Sequence, residues 1–516
     1  MAYLCGIDIG STSIKAVIYD ETGKHISDGK TPTPLTHPNA AYPAWAVWEH
    51  KKIWDGVVSA LREALSGTDR PEDVKAVAVT GFGMDGIPID KDGKELYDFI
   101  AWHCPRTVEQ SQRFSQEIGP FELFQKAGKQ VMHIDSIYRM IWMKENHPEI
   151  LEQTDKWLLI EDYINFKLCG SKSIDYSMAT CTSVFSQETR DWCYDLIDRA
   201  GIPRHIFPKA YLSGTPLGEI TGEAAELTGL SRGTMVIEGG HDYICAALGV
   251  GAIDERSTMN VMGTWEMMVQ PVSHIKLTKE LFDSGYFIEG HVVDGAYCYV
   301  GAFVSGDMSE WLKDQLCLKE ELLSKEKGTS IWDEIALAAA ARPVGSHGCM
   351  FLPHFSGSGT PKFDPNSRGA FIGMTNITMR EDMMRAVFEG LNFQFLELMG
   401  ALKNAGLCDS SRIICTGGAS RNSFWMQNKA DITGLMLEVP DVYEATCLGA
   451  AMVAGIGAGV YKDKYDAVSR VRSGASVKEY APDMSVHGLY NELYAIFRRL
   501  YGDLIAANTL ISERNR

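Results

Sequence analysis

Leu4-Cys5-Gly6-Ile7-Asp8-Ile9-Gly10-Ser11-Thr12-Ser13-Ile14-Lys15-Ala16-Val17-Ile18-Tyr19-Asp20 is the stretch whose reading decides the fold. Two short apolar runs flank a polar turn, and a second turn follows at Asp20-Glu21-Thr22-Gly23-Lys24. β-Branched runs bounded by Gly, Ser and Asp predict a β-hairpin. The chemistry sits in the first turn. Asp8 ends one strand, and Gly10 lets backbone amides approach a ligand with no Cβ in the way. Ser11, Thr12 and Ser13 add hydroxyls, and Lys15 adds a positive charge. Exposed N–H groups with hydroxyls make a nest for phosphate, and a carboxylate beside them can hold Mg²⁺ through water. An ordinary surface hairpin with a polar tip has the same grammar.

Working outward, the 516-residue chain is long enough for two to four domains, and 45% hydrophobic with 22% charged residues is ordinary for a globular protein. A formal charge of −18 argues against a nucleic-acid partner, which needs clustered Lys and Arg. Anionic substrates stay allowed, because a local nest outweighs the global field. The 12 cysteines include no Cys-x-x-Cys pair, and Cys5, Cys245, Cys415 and Cys447 stand in apolar runs. They read as buried free thiols in a reducing compartment, neither a disulfide framework nor a zinc site. Asp8 falls where a signal peptide would need its apolar region. The longest uncharged run, Ala445 to Tyr461, is Gly-rich and short of the ~20 residues that a membrane span requires. A cytoplasmic protein is expected.

Along the chain, Trp48 to Leu65 has helical spacing, with Trp54, Val57, Val58, Leu61 and Leu65 on one stripe. Val74 to Thr80 reads as a buried strand running into Gly81-Phe82-Gly83-Met84-Asp85-Gly86, where glycines around one acid suit close approach to a ligand. A second hairpin is expected at Ile87 to Asp90 with a turn at Lys91-Asp92-Gly93-Lys94. Trp102-His103-Cys104-Pro105-Arg106-Thr107 then crowds an aromatic, an imidazole, a thiol and a guanidinium together. From Val108 to about Gly201 the pattern is mainly helical, with a polar interruption at Cys169 to Ser177.

Gly239-Gly240-His241-Asp242 precedes a small-residue helix, Tyr243 to Val250, which puts Asp242 near a helix N-terminus. Asp242 there is either a base facing a cleft or a simple N-cap. The strand–turn–strand grammar recurs at Ser257 to Met262, Gly263-Thr264 and Trp265 to Val269, as expected of an internal duplication. The strand Arg412 to Thr416 ends at Gly417-Gly418-Ala419-Ser420-Arg421-Asn422, a place for a flat base or ribose to lie against backbone. No low-complexity linker separates these parts, so packed crossovers must join the domains, and the amphipathic Tyr490 to Leu504 should dock back onto them.

Asp-x-Gly-x-Thr-x-x-Lys after a first strand resembles the first phosphate loop of the sugar kinase, Hsp70 and actin superfamily. Alone it does not choose among kinase, chaperone and filament. The ordered set Asp8-x-Gly10-x-Thr12, Gly83-Met84-Asp85-Gly86, Trp102, Gly240-His241-Asp242, Gly263-Thr264 and Gly417-Gly418-x-x-x-Asn422 resembles the FGGY carbohydrate kinases, and does so from Gly6 to about Val460. Within the family the first half is similar to the L-fuculokinase branch, through Phe82 to Gly86, Trp102 to Thr107, Lys144 to Pro148 and Gly263-Thr264-Trp265-Glu266. Gly359-Thr360-Pro361 and Asp364-Pro365-Asn366-x-Arg368-Gly369 look more like the xylulokinase branch.

The resemblance implies an α/β protein of two ribonuclease-H-like domains flanking a catalytic cleft. Residues 1–245 would be an N-terminal domain for sugar and phosphate, and residues 246–516 a C-terminal domain for nucleotide. ATP and Mg²⁺ would be the cofactors. Asp242 would be the general base, Asp8 the metal-binding acid, and Gly10, Thr12 and Lys15 the border of the phosphates. Gly263 and Thr264 would cradle the γ-phosphoryl group, and Gly417, Gly418 and Asn422 would face adenosine. Asp85, Trp102, Arg106 and Trp265, with Asp242, would line the sugar site, Asp85 and Arg106 reading hydroxyls directly; the alternative for Arg106 is a structural clamp on its own loop. The expected partner is a small sugar, an L-fuculose-like ketose phosphorylated to its 1-phosphate, with a pentulose as the alternative. Neither nucleic acid nor membrane is expected, and a homodimer is the one assembly considered. The reading from another class is an Hsp70-like or actin-like nucleotide switch, which has no need of the Asp85, Trp102-to-Thr107 and Asp242 stretches.

Overall fold

The computed structural model describes residues 2–514. The opening hairpin forms: β1 (Tyr3–Ile9) pairs antiparallel with β2 (Ser13–Asp20), which sets Asp8 opposite Lys15, and β2 pairs with β3 (His25–Pro32). β4 (Val74–Gly81) lies parallel to β1 on its other side. β5 (Pro216–Glu219) and β6 (Met235–His241) complete the sheet, β6 parallel to β4 and β5 antiparallel to β6. The order is β5-β6-β4-β1-β2-β3. Every residue of β1 is buried, as a central strand covered on both faces should be.

A second sheet repeats the plan. β7 (Ser257–Met262) and β8 (Trp265–Val272) form the echoed hairpin; β9 (Phe287–Gly290) and β10 (Tyr297–Val304) extend it antiparallel. β11 (Arg412–Thr416) adds in parallel to β7, β12 (Met436–Pro440) in parallel to β11, and β13 (Val477–Tyr480) closes antiparallel. The order is β9-β10-β8-β7-β11-β12-β13. Three antiparallel strands followed by two parallel ones and an antiparallel edge occur in both sheets, so the duplication read in the hairpins extends to whole domains.

α1 (His50–Ser66) covers β2 and β3, and α2 (Ile160–Cys169) lies against β4 and β6. α3 (Asp242–Val250) follows β6 directly, and α4 (Gly306–Leu316) follows β10. α5 (Arg380–Asn404) and α6 (Ser423–Thr433) pack together on the second domain. α7 (Ala445–Gly457), although late in the chain, lies on β1 of the first sheet and crosses α3. Glycine permits that crossing: a Cβ on Gly449 would stand 1.8 Å from the Cys245 carbonyl oxygen, and one on Gly6 1.9 Å from that of Cys447. Apolar residues of α3, α7 and both sheets form one shared core, the packed crossover that the missing linker required. α8 (Met484–Arg514) docks through Tyr490, Phe497 and Leu500. The cysteines are all free, and all but the half-buried Cys169 are buried.

The second hairpin did not form as expected. The turn closes, with Asp90 N–H donating to Lys94 O at 3.0 Å, but Gly86–Ile89 takes Lys156–Leu159 as its antiparallel partner. Only a bridge between Ile89 and Glu95 survives of the local pairing. Ile87 and Ile89 are fully buried, and Trp157, Leu158 and Leu159 supply the apolar cover that Glu95 to Asp98 lacks.

Candidate active site

Asp242 is the first residue of α3, directly after β6. Gly239 makes the approach possible, since a Cβ there would lie 1.7 Å from the Val79 carbonyl oxygen. The Asp242 side chain is about one-third exposed, and its Oδ1 accepts from Tyr243 N at 2.6 Å. His241 occupies the cap position, so the simple N-cap reading of Asp242 falls.

Behind Asp242 a line of charge crosses from the second sheet. His241 is buried, with Nε2 3.7 Å from Asp242 Oδ1 and Nδ1 2.9 Å from Glu289 Oε2. Glu289 stands on β9 and also faces Lys129 Nζ at 3.5 Å. Burial works against the His241 imidazolium, yet Cys181 and Glu289 outweigh it and hold the pKa well above the usual value. Burial raises the Asp242 pKa, and the His241 charge draws it back down.

The first turn is built as a nest. Gly10 N–H closes it on Ser13 O at 3.1 Å, Thr33 Oγ1 donates to Gly10 O at 2.6 Å, and Ser11 and Thr12 are exposed. Burial, and then the field of Asp242, raise the Asp8 pKa to about 7 against the opposing charge of Lys15. Lys15 itself is 2.6 Å from Glu444 Oε2, a residue 429 positions away at the start of α7.

Across the molecule, Gly263, Thr264, Gly418 and Asn422 line one cavity of about 640 Å³ with Gly306 and Trp425. The Thr264 carbonyl accepts from Ser305 N and Gly306 N at 3.0 and 2.9 Å, which pins the turn to the N-terminus of α4. That terminus favours an anion. Gly417 has φ +96°, and a Cβ on it would sit 2.5 Å from Met262 O, so only glycine serves there. Gly418 faces open space. Asn422 caps α6 through Oδ1, accepting from Trp425 N at 3.0 Å, while its buried Nδ2 has no protein acceptor. Trp265 is 52% exposed at the edge of β8, whereas Glu266 beside it is buried against Lys429.

The structure corrects the expectation for Asp85 and Arg106 as direct readers of hydroxyls. Asp85 is fully buried. Its Oδ2 accepts from Trp48 Nε1 at 2.7 Å and from Trp102 N at 2.9 Å, and its Oδ1 lies 3.2 Å from Arg139 Nη2. Burial raises its pKa to about 7, with Arg139 and the two hydrogen bonds opposing. The flanking glycines make room for protein: a Cβ on Gly83 would meet Cys181 Sγ at 2.5 Å, and one on Gly86 would meet Trp157 Nε1 at 1.8 Å. Arg106 is a clamp on its own loop. It is buried between Trp45 and Trp142 at 4.5 and 5.1 Å and donates to Cys104 Sγ and Ala46 O. Of that stretch Trp102, 36% exposed, reaches the surface together with His103 and Pro105.

Sequence reasoning missed Glu289, Lys129, Arg139 and Glu444. Glu289 in Tyr286-Phe287-Ile288-Glu289-Gly290 and Arg139 in Ile137-Tyr138-Arg139-Met140-Ile141 are charges inside apolar runs, a signal that was available. Glu444 carries no such mark.

The model of the N-terminal domain of the FGGY family of carbohydrate kinases matches residues 3–249, and that of its C-terminal domain matches residues 258–458. The chain belongs to the FGGY family of carbohydrate kinases. It is 28% identical over 467 residues to an L-fuculokinase from Salmonella typhi, covering 90% of this chain and 94% of that one. It is 24% identical over 516 residues to a xylulose kinase from Bacillus subtilis (strain 168), covering 99% of each. The crystal structure of a ligand-bound xylulose kinase from Lactobacillus acidophilus superimposes with a TM-score of 0.87 at 24% identity, covering 99% of this chain and all of that one. The fold is the two-domain α/β architecture of sugar kinases, and the activity class is carbohydrate kinase, which sets aside the Hsp70-like or actin-like switch. Among the described residues no helix is long and apolar enough to cross a membrane.

Proposed function

We propose that the protein transfers the γ-phosphoryl group of ATP to a hydroxyl of an L-fuculose-like ketose, giving the sugar 1-phosphate, with Asp242 as general base. The observation that carries this reading is Asp242 itself: a partly exposed carboxylate at a helix start, with the buried His241 charge behind it and Asp8 near enough to repel it. Phosphoryl transfer has a loose transition state, so catalysis is mostly positioning and charge stabilisation. Asp242 orients the attacking hydroxyl and takes its proton late. Trp102 and Trp265 offer apolar faces to the C–H side of a sugar. Asp85 acts one step back, holding the backbone of Trp102.

The residues present fit the two cofactors. Asp8, raised by burial and then by the field of Asp242, stands beside a nest of amides and hydroxyls, and the two carboxylates make an oxygen donor set suited to a hard cation. Mg²⁺ held through Asp8 would neutralise phosphate charge. The unpartnered Asn422 Nδ2 in the cavity is a donor waiting for a polar ligand, as adenosine would supply. Gly263 and Thr264, held at the start of α4, would meet the phosphates, and Gly417 and Gly418 the nucleoside. The Lys15–Glu444 pair joins the first hairpin to α7, so Lys15 borders the phosphates as part of that link.

A pentulose is the second reading, supported by the B. subtilis relative, whose match extends over the whole chain and so takes in the loop at Gly359 to Gly369. A ketose panel of L-fuculose, D- and L-ribulose, D- and L-xylulose and L-rhamnulose, read by ADP release, decides between them. Highest kcat/KM on L-fuculose supports the first reading, and highest kcat/KM on a pentulose replaces it with the second.

Two further outcomes are expected. Asp8→Asn raises the Mg²⁺ concentration that gives half-maximal rate and cripples turnover; a metal dependence like that of the unmodified enzyme would leave Asp8 a local structural role only. His241→Gln removes the charge that lowers the Asp242 pKa, so the acidic limb of the kcat–pH profile moves to higher pH. The sign is fixed because Asp242 works as a base only when ionised. A limb that stays in place uncouples His241 from Asp242.

A further inference from the structure

The catalytic segment is held from both sides of the seam between the domains. The first domain fixes the backbone of His241: its N–H donates to Ser177 Oγ at 2.9 Å, and it pairs with Gly81 of β4. The second domain holds the ring. Glu289 Oε2, on β9, lies 2.9 Å from His241 Nδ1. With Nδ1 tied there, the opposite ring nitrogen is turned toward Asp242, Nε2 standing 3.7 Å from Oδ1. Asp242 Oδ1 also accepts from Tyr243 N at 2.6 Å, so both restraints fall on the same oxygen.

Glu289 can hold a ring because its own carboxylate is held. It is fully buried, with Oε1 3.5 Å from Lys129 Nζ and the Tyr243 hydroxyl facing it. The Tyr243 ring packs on that of His241, with centroids 4.4 Å apart. Cys181 Sγ also approaches His241 Nδ1, at 3.6 Å, but burial pushes its thiol up and keeps it a neutral, weak partner. A carboxylate makes the stronger, charge-assisted bond, so Glu289 sets the ring.

A second observation is independent of that charge line. The segment of the second domain that carries Glu289 is bolted to the first domain on both sides of it. Ile288 N donates to Gly128 O at 2.8 Å, and Gln130 Nε2 donates to Tyr286 O at 2.8 Å and Phe282 O at 3.0 Å. Beyond Glu289, Arg190 lies over the Tyr297 ring at 4.3 Å and donates to Ala296 O at 3.3 Å. Glycines let the two backbones close at the catalytic segment itself. A Cβ on Gly240 would stand 2.3 Å from Val292 Cγ1, and one on Gly290 would stand 2.9 Å from Gln187 Oε1. Backbone locked on either side leaves a buried side chain one place to go, as a supporting shell requires.

We propose that Glu289 is a positioning residue for Asp242, a carboxylate of the second domain that orients the His241 ring and, through it, the base of the first. The proposal rests on the reading of Asp242 as general base. Glu289 touches His241, Lys129 and Tyr243 and acts on the reaction through His241 alone. The expected effect is large because misplacing a reacting group by about 1 Å costs about 10²-fold in rate.

Steady-state kinetics of the full-length enzyme test this with Glu289→Asp. That variant keeps the charge facing Lys129 but is one methylene too short to hold His241 Nδ1. A fall in kcat of about 10–100-fold is expected, with KM for ATP and for the preferred ketose changed less than about threefold. Added to Asp242→Asn, Glu289→Asp should lower the remaining turnover by less than about threefold, because its effect runs through the carboxylate already removed. Unchanged kcat in a folded Glu289→Asp enzyme would overturn the proposal. So would raised KM with kcat retained, which marks a structural role, or losses that multiply in the double variant, which mark an action independent of Asp242. Near-normal turnover of Asp242→Asn alone is a distinct failure: it removes the base, and the positioning role falls with it. If Glu289→Asp does not fold, Glu289→Gln takes its place under the same criteria, since its one acceptor oxygen cannot serve both His241 and Lys129.

Discussion

Asp242→Asn is expected to lower kcat by about 10²–10⁴-fold, the scale of a lost general base, while the protein stays folded and keeps its affinity for sugar and nucleotide. The amide has the carboxylate's shape, and its oxygen can still accept from Tyr243 N, the contact made by Oδ1 at 2.6 Å. What it loses is the ability to take a proton from the attacking hydroxyl. His241, protonated and 3.7 Å away, then faces a neutral group, which costs little because Glu289 remains its partner at 2.9 Å. Stopped assays with saturating ketose and ATP measure kcat, and equilibrium dialysis measures binding. A folded Asp242→Asn enzyme with near-normal turnover would remove Asp242 from the chemistry and leave the charge line behind it without a purpose.

Asp85→Ala is expected to destabilise the first domain by about 3–5 kcal/mol, the range for removing one partner of a buried ion pair. Arg139 would be left charged and fully buried, and Trp48 Nε1 and the Trp102 amide would lose their acceptor. The loss should appear as a lowered Tm and urea midpoint even without ligand. Asp85→Asn, whose amide oxygen can take the place of Oδ2 and accept from both N–H groups while losing the charge that faces Arg139, should lose less, and Arg139→Met added to Asp85→Ala should recover part of the stability. If Asp85→Ala instead unfolds like the unmodified protein and changes only the ratio of kcat/KM between epimeric ketoses, the carboxylate contacts sugar after all.

Asp85 also marks how far a linear reading reaches. Glycines around an acid at a strand end do mean close approach, and close approach is found there. The approaching groups are Cys181 and Trp157, both more than 70 residues onward, and no local pattern announces them. Arg106 fails as a reader of hydroxyls for a related reason. A guanidinium next to aromatics in sequence suggests a binding loop, but Trp45 and Trp142, the rings that enclose it, come from distant segments. The second hairpin fails because strand pairing is decided by which apolar partner buries Ile87 and Ile89, and Lys156–Leu159 offers more apolar surface than the adjacent residues do.

By itself the sequence determined the elements whose information is local: the first hairpin and its repeat at Ser257 to Val269, the strand–glycine–helix turn before Asn422, and the small-residue helix through Tyr243 to Val250. Such elements follow from residue periodicity and from the few residues able to adopt turn conformations, so a short window holds the answer. Together with their order they were enough for the family and the two-domain fold. Only the tertiary structure decided which buried charges face one another. The Lys129–Glu289–His241–Asp242 line and the Lys15–Glu444 pair each join residues far apart in the chain. Electrostatic energy depends on separation in space and on exclusion of water, and neither is written in any one segment of a chain.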